Sequence, residues 1–199
     1  TAAAINNVPL KEVTKEMRYS AKEINFGVLY GMGSYGLSWR AGIPQWQAKD
    51  FIEKYFQEFA GVRKYLDETV RFAKKEGFVE TLFGRRRYIP ELASDNFQLR
   101  AAGERMAVNM PIQGTAADLM KMAMIRVHES IKTLKHENKY RDEDIKLILQ
   151  VHDELVLEVK KGMESKVVAI VKKEMETVVE LRVPIDVSVG IGQRWGEIK

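Results

Sequence analysis

Four side chains near the start of the sequence combine two positive charges with two aromatic rings. They are Arg18, Lys22, Phe26 and Tyr30, which follow one another at intervals of four residues. A helix turns by about 100° per residue, so this spacing places all four along one edge of it. The two cations could bind a triphosphate, and the rings could stack on a sugar or a base. The row indicates a nucleotide site, although a solvated edge with two packed rings would give the same pattern.

An apolar stripe on the opposite side of the same segment is expected to hold this row in place. The stripe is centred about 150° from the row, as in a helix packed on a core, and we predict a helix over residues 10–30. Gly27 would leave room for a ligand beside the row. The stripe consists of Met17, Ala21, Ile24 and Val28.

Three glycines follow this helix in the pattern G-x-G-x-x-G, at Gly31, Gly33 and Gly36. In dinucleotide-binding proteins the pattern follows a strand and opens the helix of a βαβ unit. Here it follows a helix, and no βαβ unit is visible in the sequence. We therefore expect a turn in which the glycines adopt positive φ angles.

Two consecutive carboxylates, Asp153 and Glu154, lie between apolar segments in the second half of the chain. We predict largely buried strands over 145–151 and 154–160, joined by a two-residue turn at His152 and Asp153. Carboxylates at the tip of a rigid hairpin suit a hard cation such as Mg²⁺. Asp is also common in turns for conformational reasons alone, so turn chemistry remains an alternative.

Other kinds of metal site have little support in the composition. The chain has no Cys, which excludes thiolate ligands, disulfides and a Cys nucleophile. A hydrolytic His–Asp site would need more His ligands than this chain offers. Its three histidines are His128, expected on a helix surface, His136, expected in a charged loop, and His152.

Basic and amide side chains between these two regions could contact nucleic acid. Arg85, Arg86 and Arg87 follow a predicted hairpin turn, where they could bind backbone phosphates or simply form a solvated edge. Amide and guanidinium groups can also donate to minor-groove acceptors, which differ little between base pairs. The candidates for such contacts are Arg105, Asn109 and Gln113.

The remaining pattern predicts an α+β protein whose first part is nearly all helical. We place a division near residue 111, between mainly helical residues 1–110 and an α+β unit of residues 111–199. The net charge of +4 lies entirely in the first 110 residues, which permits a polyanionic partner. No apolar run is long enough for a membrane span. The further predicted elements are helices over 37–41, 44–59, 61–77, 96–110, 115–134 and 163–180, a β-hairpin over 78–89, a loop over 136–144 and a last strand over 184–191.

Five segments, in order along nearly the whole chain, resemble those of family A DNA polymerases, the bacterial DNA polymerase I family. Residues 18–31 read RYSAKEINFGVLYG and are similar to the family's fingers helix, and residues 150–154 read QVHDE and are similar to its palm carboxylate motif. The other similar segments are VETLFGRRR at 79–87, ERMAVNMPIQGTAADL at 104–119 and VGIGQRW at 189–195.

This resemblance implies a role for each candidate residue. Arg18 and Lys22 would bind the incoming triphosphate, and Lys22 would also assist catalysis. Phe26 would pack on the sugar and base, and Phe in place of Tyr suggests discrimination against sugars that lack a 3′-hydroxyl. Asp153 would bind Mg²⁺ with support from Glu154. The DNA contacts implied are Tyr30 at the templating base, His152 near the primer terminus, Gly31, Arg85, Arg86, Arg87, Arg105, Asn109 and Gln113.

The resemblance also implies a fingers subdomain over 1–110 and a C-terminal palm portion over 111–199. Two Mg²⁺ ions are expected, with a second Asp ligand on an earlier palm segment that would precede Thr1. This chain alone is therefore expected to fold poorly and not to polymerise, and to need the upstream part of the same polymerase. The implied enzyme is a monomer of the bacterial cytoplasm and nucleoid that extends primer–template DNA with dNTPs in replication and repair. A single-subunit RNA polymerase and a non-catalytic nucleic-acid-binding module remain alternatives.

Overall fold

The computed structural model describes residues 2–6 and 8–198, with all their side chains except those of Ala4 and Ile5. The chain divides into two compact units, Thr1–Ile112 and Gln113–Lys199. Helices predominate, and the strands form two small antiparallel hairpins. The predicted α+β class is confirmed. No helix in the described ranges has both the length and the apolar composition that a membrane span requires.

The first unit consists of helices around one small hairpin. Gly42 and Gly77 adopt left-handed conformations and end the two helices that the sequence predicts to stop there. One apolar cluster joins α2, α3 and α4 through residues such as Ile24, Leu37 and Ala48. The elements are α1 Ala2–Asn6, a 3₁₀ turn Leu10–Glu12, α2 Lys15–Leu29, α3 Ser34–Ala41, α4 Gln45–Glu58, α5 Ala60–Glu76, β1 Phe78–Glu80, β2 Arg86–Tyr88 and a 3₁₀ turn Pro90–Ala93.

The long helix α6, Phe97–Asn138, corrects two predictions. It continues through Pro111, although proline removes one backbone donor and costs a helix about 3 kcal/mol. The helix is packed in both units, through Ala107 and Val108 in the first and Val127 in the second, and this packing offsets the loss. The predicted N-terminal cap at Thr115–Asp118 therefore lies inside the helix, where no unpaired amide groups need a cap.

The second unit packs α6 against a hairpin and one further helix. Val127, Ile131 and Leu134 of α6 form a core with Ile145 of the hairpin and Val167 of the last helix. The hairpin is predicted to within one residue. The elements after α6 are a 3₁₀ turn Asp142–Asp144, β3 Ile145–Val151, β4 Glu154–Val159, α7 Glu164–Glu176 and a 3₁₀ turn Trp195–Glu197.

Three further predictions are wrong. His136 lies in α6, so the charged loop is shorter than expected. The first long helix begins at Lys15 and not at residue 10, because Thr14 accepts a hydrogen bond from the Met17 amide and so caps the helix there. The segment 184–191 forms no strand, because a strand needs a neighbouring backbone to bond. The Val187 amide donates instead to the Glu176 carboxylate, at 3.1 Å.

Candidate functional site

Helix α2 is held in the first unit by its apolar stripe, as the sequence predicts. Ala21, Ile24 and Val28 are buried, and Met17 is half-buried. Ile24 and Val28 belong to the cluster shared with α3 and α4. The opposite edge of α2 is thereby directed away from this core.

The predicted row occupies that opposite edge. The Lys22 ammonium lies 6.0 Å from the centre of the Phe26 ring, and the rings of Phe26 and Tyr30 stack at 6.2 Å with 13° between their planes. Phe26 is 44% exposed, so its ring has an open face. Neither Arg18 nor Lys22 forms an ion pair within the described ranges. The row is thus arranged by one helix and presents two uncompensated cations beside two rings.

A groove runs beside the cationic end of this row. Its volume is about 580 Å³, within the range of roughly 300–1,000 Å³ that is usual for ligand sites. The lining includes the cations Lys15, Arg18 and Lys22 together with Asn25. Among the described residues no carboxylate lines it, so these side chains favour an anion.

The end of α2 forms a Schellman motif, which requires a glycine. The Met32 amide donates to the Gly27 carbonyl at 2.7 Å, the Gly31 amide donates to the Val28 carbonyl at 3.1 Å, and Gly31 has φ = +88°. A Cβ on Gly31 would also lie 3.2 Å from Cγ of Arg105. Gly31 thus sets the direction of the chain after Tyr30 and packs on the stem of Arg105.

Two expectations about the other glycines are wrong. A Cβ on Gly27 would overlap Cε of Met32, so the missing side chain makes room for Met32 and not for a ligand. Gly33 has φ = −80° and precedes α3, while Gly36 lies inside α3. Only Gly31 of the three pattern glycines adopts positive φ.

The predicted acidic turn joins β3 and β4 in the second unit. Val151 pairs with Glu154, and His152 and Asp153 form the two-residue turn between them. His152 has φ = +51°, and its carbonyl accepts a 2.7 Å hydrogen bond from Nε2 of Gln150. Both carboxylates are exposed and line a groove of about 520 Å³.

The strands that carry this turn are less buried than predicted. Ile148 and Leu149 of β3 are 54% and 43% exposed, and the register shifts between Leu147 and Leu149. The base of the hairpin is more firmly held. The Asp144 carboxylate accepts a hydrogen bond from the Arg141 amide at 2.9 Å and pairs with Lys160 at 3.2 Å. The Arg141 amide and then Lys160 hold the pKa of Asp144 below its usual value.

The acidic turn fits only part of a magnesium site. Exposed carboxylate oxygens are the ligands that Mg²⁺ prefers. Within residues 2–6 and 8–198, however, no group of three or more His, Asp or Glu side chains is arranged to hold a metal ion. Asp153 and Glu154 could therefore contribute to a coordination shell but could not complete one.

The three arginines of the first hairpin differ in their surroundings. The Arg86 guanidinium is 3.0 Å from the Glu80 carboxylate and 4.4 Å from the Phe78 ring centre, and Glu80 raises the pKa of Arg86. Arg87 contacts the sulfur of Met106 at 3.3 Å. Arg85 is exposed next to the turn. Arg86 is thus held within the hairpin by a carboxylate and an aromatic ring.

The predicted DNA-contact residues of α6 include an unusual amide. Arg105 and Gln113 are exposed, whereas Asn109 is half-buried. Oδ1 of Asn109 is buried and has no hydrogen-bond partner among the described residues. A buried acceptor without a partner costs about 1–3 kcal/mol, so stability alone does not explain this residue.

The similarity to known proteins covers the chain from end to end. The family model for DNA polymerase family A matches residues 1–197. This chain belongs to DNA polymerase family A. The resemblance of its five segments to that family is thereby confirmed.

Individual relatives agree with this assignment. The chain is 48% identical over 199 residues to DNA polymerase I of Caldicellulosiruptor bescii, covering 100% of this chain and 23% of that protein. It is 47% identical over 195 residues to the thermostable DNA polymerase I of Thermus aquaticus, covering 98% of this chain and 22% of that protein. The chain thus spans less than a quarter of these curated relatives.

A solved structure has the same fold over nearly all of this chain. It is the POL domain of Pol1 from M. smegmatis in complex with DNA primer–template and dNTP, with a TM-score of 0.88 and 43% identity. The match covers 98% of this chain and 33% of that one.

Two features of the site escaped the sequence reasoning. One is the packing of the Met32 side chain against Gly27 and Gly36, which lie five residues before it and four residues after it. The other is the hydrogen bond from Gln150 to His152. A polar residue two positions from a tight turn is too common for the sequence to indicate the second.

Proposed function

We propose that this chain is the part of a DNA-directed DNA polymerase that binds the incoming deoxynucleotide and carries one catalytic carboxylate. Residues 1–110 would form mainly the fingers subdomain, and residues 111–199 the C-terminal palm portion. The observation that carries this proposal is the row on α2, in which two cations without an ion pair among the described residues are followed by two stacked rings. The M. smegmatis relative, solved with DNA primer–template and dNTP, supports the same classes of partner.

In the proposed reaction, the 3′-hydroxyl oxygen of a primer attacks the α-phosphorus of a dNTP. A bond from this oxygen to the α-phosphorus forms, the hydroxyl proton passes to water, the bond from the α-phosphorus to the oxygen that bridges to the β-phosphate breaks, and pyrophosphate leaves. Arg18 would bind the triphosphate as a fork and Lys22 as a point charge. Phe26 would pack on the sugar and base, and Tyr30 would lie at the templating-base position.

Asp153 would hold Mg²⁺, with Glu154 as a supporting carboxylate and a further Asp expected from the upstream part of the polymerase. Bound Mg²⁺ would neutralise phosphate charge and activate the attacking hydroxyl. The turn would leave Asp153 accessible to the ion, because both carboxylates of the tip are exposed.

The remaining predicted residues would hold primer–template. Arg85, Arg86 and Arg87 would contact backbone phosphates, Arg86 after exchanging Glu80 for a phosphate. Gly31, which packs on the side chain of Arg105, would set the direction of the chain beside the template. The other proposed contacts are Arg105, Asn109, Gln113 and His152. We further propose a monomeric enzyme that acts on the bacterial chromosome in the cytoplasm.

A matched pair of substitutions in the full-length protein tests this function. Asp153 and Asp186 line the same groove, and only Asp153 is placed at the turn. We expect Asp153→Ala to slow single-turnover primer extension by about 10³-fold or more, since metal stabilisation contributes several kcal/mol. Primer–template binding should persist in this variant, and Asp186→Ala should extend normally.

Three results would contradict the proposal. One is normal extension by Asp153→Ala. Another is an unsubstituted protein that binds primer–template but extends it with neither deoxy- nor ribonucleotides, as expected of a binding module. Efficient extension with ribonucleotides alone would identify an RNA polymerase instead.

A further inference from the structure

The turn that carries Asp153 has an unfavourable backbone at the preceding residue. His152 adopts φ = +51°, and only Lys139 among the other described non-glycine residues also has positive φ. In a two-residue hairpin turn with positive φ at its first position, glycine is the usual residue. A histidine here must be held in this conformation by other contacts.

Gln150 supplies such a contact from the adjoining strand. Its Nε2 donates to the His152 carbonyl at 2.7 Å, a short and well-formed bond that spans the start of the turn. The bond fixes the peptide unit between His152 and Asp153, because that carbonyl belongs to it. The direction in which the Asp153 side chain leaves the backbone depends on this same peptide unit.

We propose that Gln150 is a positioning residue that holds the His152–Asp153 peptide so that the Asp153 carboxylate is presented to a divalent cation. This inference rests on the proposed role of Asp153 as a metal ligand. Without the Gln150 amide, His152 relaxes towards negative φ in most of the molecules, and only the remaining fraction binds the cation. The apparent affinity falls in proportion to that fraction.

The size of the effect follows from the hydrogen bond. A neutral hydrogen bond shifts a conformational equilibrium by roughly threefold to tenfold. The apparent dissociation constant of the cation should rise by the same factor when the amide is removed. Gln150 is exposed, so its replacement leaves no buried polar group without a partner.

The test measures Mn²⁺ binding by electron paramagnetic resonance, in full-length protein bound to primer–template with a 3′-deoxy primer end. The site is defined as the Mn²⁺ binding that Asp153→Ala removes. Gln150→Met, which keeps the length of the side chain and loses the donor, should weaken this binding roughly threefold to tenfold. Gln57→Met, on the exposed side of α4, is the matched control and should bind like the unsubstituted protein.

A second background separates positioning from general damage to the hairpin. Glycine adopts positive φ without penalty, so His152→Gly removes the need for the bond. In that background Gln150→Met should change Mn²⁺ affinity less than about twofold. The rate of primer extension by Gln150→Met should also recover at saturating Mg²⁺, because the cation selects the competent turn.

Three results would overturn the inference: unchanged Mn²⁺ affinity in Gln150→Met, an equal loss in both backgrounds, or a rate defect that Mg²⁺ does not relieve. Each of these leaves the proposed polymerase function standing if the unsubstituted protein extends primers. Absence of extension by the unsubstituted protein would remove the function and this inference together.

Discussion

The row on α2 and the acidic turn between β3 and β4 are built in opposite ways. One helix arranges all four side chains of the row, and its caps and apolar stripe hold it in place. The turn needs an unfavourable φ at His152 and a hydrogen bond from Gln150, and it offers only part of a metal shell. The proposed phosphate site is thus built by one helix, whereas the proposed metal site requires ligands from other segments.

Of the substitutions that test this comparison, the replacement of Lys22 is expected to have the largest effect. Lys22→Ala should raise the KM for dNTP about 10- to 100-fold, the range for loss of one charge-assisted hydrogen bond to phosphate. Steady-state extension by the full-length protein at varied dNTP concentration measures this. Lys54→Ala, which removes an exposed cation of α4, should leave the KM unchanged. An unchanged KM in Lys22→Ala would mean that the row does not bind the triphosphate.

A smaller effect is expected where α2 ends. Gly31→Ala places an alanine at φ = +88° and a Cβ 3.2 Å from Arg105, at a cost of about 1–2 kcal/mol. Hydrogen exchange of the last amides of α2 should therefore accelerate about 5- to 30-fold. Gly61→Ala is the control. Gly61 lies in α5 with open space around it, so an alanine there should stabilise α5 and slow the hydrogen exchange of its amides. Equal exchange in Gly31→Ala would show that α2 does not depend on this glycine.

The smallest effect concerns the base of the hairpin and its dependence on pH. The Arg141 amide, followed by Lys160, lowers the pKa of Asp144 from its ordinary value of 3.8 in the folded chain. The stabilisation is therefore present above the unfolded pKa and is lost as pH falls through the folded one. Asp144→Asn should lower the urea midpoint of unfolding at about pH 6. On acidification to about pH 3, the midpoint of this variant should fall less than that of the unsubstituted protein.

Asp95→Asn, which replaces an exposed carboxylate of the first unit, serves as the control. Its urea midpoint should change with pH in the same way as that of the unsubstituted protein. If Asp144→Asn showed the same acid-induced loss as the unsubstituted protein, the Asp144 contacts would not contribute to the pH dependence.

The sequence predicted those parts of the fold that short-range patterns determine. The period of α2 identified both its buried and its exposed edge, and apolar runs on either side of a two-residue turn located β3 and β4 to within one residue. The patterns failed where distant packing decides. Burial on both sides carries α6 through Pro111, and residues 184–191 have strand-like alternation but no ladder partner.

The same distinction holds for the candidate site. Residue types and spacing indicated the cations of α2 and the carboxylates of the turn. They did not show that Met32 fills the space beside Gly27, because that contact depends on the angle between α2 and α3. Nor did they show that Gln150 holds the turn, since a side-chain bond to a specific carbonyl requires the local backbone geometry.

The central claim is that Asp153, at the tip of the hairpin, holds the divalent cation that binds the incoming triphosphate. Electron–nuclear double resonance of Mn²⁺ tests it in full-length protein with a 3′-deoxy primer and the matching dNTP. We predict ³¹P couplings from triphosphate oxygens bound to the Mn²⁺, and the loss of these couplings in Asp153→Ala. Mn²⁺ that binds at Asp153 without any ³¹P coupling at saturating dNTP would contradict the account.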